Sequence, residues 1–253
     1  MCGIAGILYF NKKDKSAFDA VHGMTESLRH RGPDDSGFYN DGFIALGHRR
    51  LSIIDLDTGG QPLSNEDGSI RLVLNGEIYN YKDLRSELEG RHRFNTVSDA
   101  EPVVHLYEEM GPECVKKLRG MFAFALWDLN KKRLLLVRDR LGKKPLFYRV
   151  DKERLVFGSE INSLLKAGGI EKNIDYAVLG DFLRYRYIPA PGTVYKNVFA
   201  VEPASYIVVD DRCRLNSNKY WQIDFRAKLQ TGYDCLLYTS PSPRDRTRSR
   251  MPS

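Results

Sequence analysis

The sequence predicts a layered α+β domain. Four strand-like runs follow one another in the middle of the chain, at 121–127, 133–138, 145–150 and 154–158. Segments with helical spacing of apolar residues lie before and after them. The chain has 253 residues, of which 42% are hydrophobic, an ordinary globular balance for one or two domains. Sheets with helices on their faces form such layers, because each sheet must bury an apolar face.

The first third of the chain alternates strands with one helix. Residues 3–9 (GIAGILY) are typical of a buried strand, and residues 17–28 have helical spacing. A turn-rich loop, RHRGPDDSG, follows at 29–37. Further strands are expected at 43–54 and 70–74.

Two helices are predicted next. Asn75 and Gly76 form a common turn pair, which predicts that the preceding strand ends there. Helical spacing follows at 81–89. Ser98 with Glu101 three residues later resembles a capping box, so a second helix is expected to begin near this point.

The last part of the chain changes from helix to loop. Residues 160–185 have helical spacing, and one more strand is expected at 205–209. We therefore predict a domain over 1–187 and an exit segment over 188–234.

Composition excludes several classes of protein. No apolar run approaches the ~18 residues of a membrane span, and no basic and apolar leader marks a secretory signal. The cysteines lie apart, without C-x-x-C or zinc spacing, at Cys2, Cys114, Cys213 and Cys235. These features predict a reduced, cytoplasmic protein with no membrane partner.

The tail 235–253 contributes half of the net charge of +6, through four arginines and one aspartate. A disordered basic arm, or one that binds nucleic acid, would have this composition. However, CLLYTSPSPRD resembles a frame translation of a transposase adapter used in sequencing libraries, and SRMPS resembles the flow-cell end of that adapter. We therefore expect the tail to be a disordered assembly artefact, and we expect no nucleic-acid partner.

Cys2 directly follows the initiator methionine. Removal of Met1 would give one residue both a thiol and a free α-amine. Such an amine titrates at about 7.7–8.0 in peptides, so a useful fraction is neutral at pH 7 and can accept the thiol proton. The alternative is a cysteine that falls second by chance.

Eight spaced blocks resemble the glutaminase domain of the asparagine synthase family, the class II glutamine amidotransferases. They are MCGIAGI, RHRGPDDSG, GHRRLSIIDL, LNGEIYNY, SDAE, RGMFAFALWD, RDRLGKKPLFY and FGSE, within about residues 2–224. The resemblance implies a four-layer αββα sandwich of the N-terminal nucleophile (Ntn) hydrolase type. It also implies hydrolysis of L-glutamine to glutamate and ammonia through a Cys2 γ-glutamyl thioester.

The resemblance assigns catalytic roles to three residues. Cys2 would attack the carboxamide carbon, while the Asn75 side-chain amide and the Gly76 backbone N–H would stabilise the oxyanion. On local sequence alone, a plain hairpin turn at this pair is an equal alternative.

Glutamine also carries an α-carboxylate and an α-ammonium. Arg50 suits the carboxylate because its planar guanidinium binds two oxygens at once. The resemblance assigns Glu77 and Asp99 to the ammonium. Taken singly, these three could be a surface charge, solvated acids or a helix cap. Backbone atoms expected to line the same pocket are those of Leu51, Ser52, Ile53 and Ile54.

Four further polar residues are expected to be structural. Arg31 and Asp34 would brace the loop over the pocket. His30 and His48 need no catalytic role, because the N-terminal amine supplies the base. Ala100 and Pro102 depart from the family pattern and put the position of Asp99 in doubt.

The sequence contains no S-G-G-x-D-S loop, which family members carry in a following synthetase domain. We therefore expect the chain to be a fragment that stops before the synthetase domain, which would be joined in cis and would use ATP and Mg²⁺. The resemblance implies no metal or cofactor for the glutaminase domain itself. The whole protein would make asparagine from aspartate. A sugar or polysaccharide precursor as acceptor, a non-catalytic interaction module and a homodimer stay open.

Overall fold

Two six-stranded antiparallel sheets form the centre of the computed structural model, which describes residues 1–10, 14, 17–52, 55 and 58–224. One compact unit runs from Met1 to Trp221. The tail 235–253 and two predicted pocket residues, Ile53 and Ile54, lie outside the described residues.

The strands and helices are as follows, in chain order. The strands are β1 (Gly3–Tyr9), β2 (Asp35–Asn40), β3 (Ile44–Arg50), β4 (Leu63–Ser64), β5 (Ile70–Ile78), β6 (Gly120–Asp128), β7 (Arg133–Arg138), β8 (Phe147–Val150), β9 (Arg154–Gly158), β10 (Phe199–Ala200), β11 (Ser205–Asp210) and β12 (Leu215–Lys219). The helices are α1 (Ala17–Glu26), α2 (Tyr81–Leu88), α3 (Glu101–Met110), α4 (Ile161–Leu165) and α5 (Tyr176–Tyr185), with a 3₁₀ helix at Gly111–Lys116.

The first sheet has the strand order β10-β8-β9-β1-β3-β2, and the second has β12-β11-β7-β6-β5-β4. Alternation along each strand sorts side chains between two faces. In β1, Ile4 and Leu8 pack into the core between the sheets, whereas Ala5 and Ile7 pack against helices. Trp127 of β6 belongs to the same inter-sheet core.

Helices cover the outer faces of both sheets. Val21 and Met24 of α1 pack on the first sheet together with Leu164 of α4. Val103 and Leu106 of α3 pack on the second, where α2 joins them. The result is the expected four-layer αββα sandwich.

Asn75 and Gly76 lie inside β5 and do not end it, so the predicted turn is wrong. They pair with Ala123 and Phe122 of β6, and the ladder continues to Ile78. Pairing with a long neighbouring strand outweighs the local turn preference of the Asn-Gly pair.

The predicted capping box is also wrong. Helix α3 begins at Glu101 after the N-cap residue Ala100, and the Ser98 hydroxyl accepts from the Ala100 N–H. The Glu101 carboxylate accepts from the backbone N–H groups of Asn95 and Thr96. The Glu101 side chain therefore binds the segment before the helix and does not cap the helix.

Other differences concern segments that the sequence predicts as one piece or as loop. Strand β2 begins inside the predicted loop at 29–37, and the predicted helix at 160–185 is two helices, α4 and α5. Among the described residues beyond 187 there are three strands, β10 to β12, where the sequence predicts one. They belong to both sheets, so the compact unit continues past the predicted domain end.

No helix in the described part of the chain is long and apolar enough to cross a membrane.

Candidate active site

A small cavity lies where the start of β1 and the end of β3 approach β5. Its volume is about 160 Å³, below the roughly 300–1,000 Å³ of pockets for drug-sized ligands, so it suits a small molecule. Fourteen residues line it: Met1, Cys2, Arg50, Leu51, Gly59, Gln61, Leu74, Asn75, Gly76, Glu77, Ser98, Asp99, Met121 and Lys144.

The Cys2 thiol is held at this cavity by the end of β3. The Leu51 N–H donates to Cys2 Sγ at 3.4 Å, and the thiol faces the Leu51 carbonyl oxygen at 3.8 Å. Arg31 Nε donates to the Cys2 carbonyl at 3.0 Å. Met1 lines the same cavity, so its removal would free the Cys2 amine there.

Asn75 lines the cavity and carries an amide with no hydrogen-bond partner among the described residues. Its side chain is fully buried, and neither Nδ2 nor Oδ1 has a hydrogen-bond partner among the described residues. Buried polar groups in native proteins are nearly always paired, so an unpaired amide lining a cavity indicates a ligand-binding group.

Gly76 has a backbone conformation that requires glycine. Its φ is +149°, and a Cβ there would lie 2.0 Å from the Met121 carbonyl oxygen. Only glycine lets β5 pass so close to β6. This places the Gly76 backbone beside the Asn75 amide, on the wall of the cavity.

Charges of both signs line the cavity. Arg50 is 7% exposed, and its Nη2 donates to the Asp55 carbonyl. Asp99 is buried, and its Oδ2 accepts from the Ile78 N–H at 2.7 Å. Burial raises the pKa of Asp99, and the negative charge of Glu77 adds to this rise. A cation bound here would stabilise both carboxylates.

The loop after α1 is tied down on both sides. Arg31 Nη1 donates to Glu160 Oε1 at 2.9 Å, and His30 Nε2 lies 2.9 Å from the same oxygen. Asp34 Oδ2 accepts from the Ser52 N–H at 2.8 Å. Ser52 therefore braces this loop and is not among the residues that line the cavity.

His48 and Gln61 hold the Leu74 peptide next to Asn75. His48 is buried, and burial lowers its pKa to about 4, so the ring is neutral and its Nε2 donates to the Leu74 carbonyl at 3.2 Å. Gln61 Oε1 accepts from the Leu74 N–H at 2.6 Å. Both residues position the strand that carries Asn75.

Sequence reasoning assigned no role to several residues that line the cavity. Ser98, Met121 and Lys144 lie inside the family blocks SDAE, RGMFAFALWD and RDRLGKKPLFY, so the blocks could have indicated them. Gly59 and Gln61 carry no local sign of a site, because only the packing of β5 beside the first sheet brings them to it.

Asp99 lines the cavity despite the unusual residues that follow it. Ala100 is the N-cap residue of α3, and Pro102 falls in the first turn of that helix, where a proline is tolerated. The departure from the family pattern therefore leaves Asp99 at the site.

A four-layer αββα sandwich whose first strand begins just after a cysteine is the architecture of the Ntn-hydrolase amidotransferases. Residues 1–221 match the glutamine amidotransferase domain family. The chain belongs to this family.

Curated relatives agree with this assignment. The chain is 38% identical to asparagine synthetase [glutamine-hydrolyzing] 1 of Bacillus subtilis, over 94% of this chain and 38% of that protein. It is 49% identical to asparagine synthetase [glutamine-hydrolyzing] 2 of the same organism, over 65% and 22%. The alignments thus cover 38% of the length of the first relative and 22% of the second. The chain spans well under half of the length of these curated relatives.

The glutamine phosphoribosylpyrophosphate amidotransferase of B. subtilis has a similar fold, with a TM-score of 0.65 over 88% of this chain and 50% of that one. Sequence identity to it is 21%, so this likeness concerns the fold alone. It confirms the predicted Ntn-type sandwich.

Proposed function

We propose that this chain hydrolyses the side-chain amide of L-glutamine, with Cys2 as nucleophile. The observation that carries the proposal is the shared cavity. It holds the Cys2 thiol, the unpaired Asn75 amide, a buried arginine and two carboxylates. Family membership supports glutamine as the substrate.

Met1 must be removed once, before the enzyme can turn over. The free Cys2 amine takes the thiol proton, and the thiolate attacks the glutamine Cδ. The tetrahedral intermediate collapses, the C–N bond breaks, and the protonated amine returns its proton to the departing ammonia. Water then attacks the γ-glutamyl thioester, which releases glutamate and restores the thiol. The balance is glutamine plus water to glutamate plus ammonia.

The oxyanion of each tetrahedral intermediate would accept from Asn75 Nδ2 and the Gly76 N–H. Removing one such donor typically costs about 10²–10³ in kcat. The buried Asn75 amide is suited to this role because it has no hydrogen bond to another described residue that substrate binding would have to break.

Free glutamine would bind by its two charged ends. Arg50 would hold the α-carboxylate, and Asp99 with Glu77 the α-ammonium. Backbone groups of Leu51, Ile53 and Ile54 remain proposed contacts, whereas the Ser52 N–H is bound to Asp34 instead. Of these, Leu51 lines the cavity. Arg31 and Asp34 would support the loop beside it.

In the whole protein, ammonia would pass to a synthetase domain joined in cis, which would use ATP and Mg²⁺ to convert aspartate to asparagine. The similarity to asparagine synthetases supports this acceptor. We expect the glutaminase domain itself to use no metal or cofactor in catalysis. A homodimer and a cytoplasmic location stay predictions.

The test is glutamate release from glutamine by the purified 253-residue chain, with mass spectrometry to verify that Met1 has been removed. Cys2→Ala is the control and should release none while keeping the same far-ultraviolet circular dichroism. Folded, Met1-processed protein that releases no glutamate would contradict glutaminase activity of this chain. Equal release by Cys2→Ala would contradict the assigned nucleophile.

A further inference from the structure

Two histidines and two glutamates come together on the side of the second sheet that α2 and α3 cover. The cluster, here called the outer cluster, consists of Glu66, His92, His105 and Glu108. Glu66 lies between β4 and β5, His92 follows α2, and the other two lie one turn apart on α3. None of the four lines the glutamine cavity.

The ligand atoms face one another at nearly equal distances. His105 Nδ1 lies 3.0 Å from Glu108 Oε2 and 3.6 Å from Glu66 Oε2. His92 Nδ1 lies 3.5 Å from Glu66 Oε1 and 3.6 Å from Glu108 Oε2. Both rings therefore turn the same nitrogen toward the same pair of carboxylates.

These four separations are close to the edge length of a metal tetrahedron. Ligands about 2.05 Å from a tetrahedral ion lie roughly 3.3 Å from one another. Four separations between ligand atoms, at 3.0–3.6 Å, are close to this value. The ligand atoms as a set lie within 4.8 Å of one another, so a bound ion would draw the widest pairs together. Two imidazoles and two carboxylates form a donor set that Zn²⁺ accepts in this geometry.

Burial and charge also favour a cation. His105 is fully buried, and its Nε2 has no hydrogen-bond partner among the described residues. The Glu101 carboxylate lies 4.0 Å from this nitrogen, so it would accept from Nε2 of a metal-binding His105 after a small approach. The two rings stack with centroids 4.6 Å apart, which holds both imidazoles on the same side of the cluster. Glu109 adds a further carboxylate, 3.3 Å from His92 Nε2.

We propose that the outer cluster binds one structural Zn²⁺, which ties the β4–β5 connection and the segment after α2 to helix α3. That segment runs from His92 to Asp99, so the ion would fix the chain that carries Asp99 into the glutamine cavity. Such a site departs from the expectation, drawn from the sequence, of no metal in this domain. No local sequence pattern indicates this site, because its four ligands come from three separate segments and only the pair on α3 has helical spacing.

The test is a titration of the full chain with Co²⁺, which reports tetrahedral coordination by its visible absorption. The Cys2→Ala background removes the thiol at the glutamine cavity, which could compete for metal. We expect one equivalent of Co²⁺ to give a tetrahedral spectrum without the near-ultraviolet charge-transfer band of a thiolate ligand, and one equivalent of Zn²⁺ to displace it.

In the same background, His92→Gln and Glu66→Gln should each abolish the tetrahedral spectrum. His22→Gln, at an exposed histidine on α1, should leave it unchanged. His92 is only partly buried and Glu66 is exposed, so folding is retained where a change at His105 would endanger it. Zn²⁺ at a hundredfold excess over its Kd should raise the thermal unfolding midpoint of the parent by about 5 °C, and not that of His92→Gln.

Absence of a tetrahedral spectrum in the folded parent would overturn the proposal. So would a spectrum that survives unchanged in either His92→Gln or Glu66→Gln, or one that carries a thiolate charge-transfer band. None of these results bears on glutamate release, which is tested separately with Cys2 intact.

Discussion

The backbone N–H of Leu51 donates to Cys2 Sγ at 3.4 Å, across 49 residues of sequence. The bond joins the start of the first strand to the end of β3, one residue after Arg50. The group proposed to attack the amide and the group proposed to hold the α-carboxylate are thereby fixed relative to each other.

Alkylation should distinguish Cys2 from the buried cysteine. Burial raises the pKa of Cys114 to about 12, so almost no thiolate exists there at pH 8, and the side chain is inaccessible. We expect iodoacetamide to label Cys2 in parallel with loss of glutamate release, to spare Cys114, and to act more slowly when glutamine is present. Peptide mass spectrometry measures each site, and equal labelling of both cysteines would contradict the prediction.

Asn75→Ala should separate catalysis from stability. We expect kcat to fall by about 10²–10³ through loss of an oxyanion donor, with no loss of unfolding free energy because the amide has no protein partner among the described residues. Kinetics and chemical denaturation measure the two effects.

The matched control is Asn65→Ala. The Asn65 amide donates to Ser69 Oγ and Glu108 Oε1 and accepts from the Ile70 N–H. This change should lower the unfolding free energy by about 1–3 kcal/mol and leave kcat nearly unchanged. If Asn75→Ala destabilised the protein as much as Asn65→Ala, the Asn75 amide would be structural.

Gly76→Ala should destabilise the fold. The added Cβ would lie 2.0 Å from the Met121 carbonyl oxygen, at a φ that alanine rarely adopts. We expect a loss of about 2–4 kcal/mol in unfolding free energy, or failure to fold.

Gly23→Ala provides the opposite case. Gly23 lies within α1, and no neighbouring atom stands within 4 Å of the place that an alanine methyl would take. Alanine should therefore stabilise the protein by about 0.5–1 kcal/mol. Equal effects at the two glycines, measured by denaturation, would show that the close approach at Gly76 is not a constraint.

Asp99→Asn should weaken glutamine binding without weakening the fold. Loss of a charged partner for the α-ammonium is worth about 1.5–3 kcal/mol, which predicts a rise in KM of about 10- to 100-fold. The exposed Asp83→Asn is the control and should leave KM unchanged. A KM unaffected by Asp99→Asn would remove Asp99 from the substrate site.

The pH dependence has a definite sign. Burial, followed by the charge of Glu77, raises the pKa of Asp99 in the folded protein, so the folded state binds this proton more tightly than the unfolded chain. Asp99 therefore contributes less to the free energy of unfolding as the pH rises from 3.8, the ordinary pKa of an aspartate, through the raised pKa of the folded state. KM should rise as pH falls through the same window. Asp99→Asn should flatten both profiles, as titration of unfolding and of kinetics would show.

Much of the architecture was predictable because it depends on local pattern. Strands β1, β7 and β9 have the predicted bounds, since alternating or continuous apolar runs specify buried strands. The spaced blocks predicted the family. They also predicted a pocket containing Cys2, Arg50 and Asp99, which the structure brings together.

The sequence by itself therefore determined the layered fold and the chemical types that the cavity holds. Only the tertiary structure decided that Asn75 and Gly76 continue a strand, because their pairing partners lie on β6, beyond α2 and α3 in the chain. It alone also brought Gln61 to the Leu74 peptide and assembled the outer cluster on the far side of the second sheet. These positions depend on which strands and helices pack together, and contacts between distant segments are not encoded in local propensity.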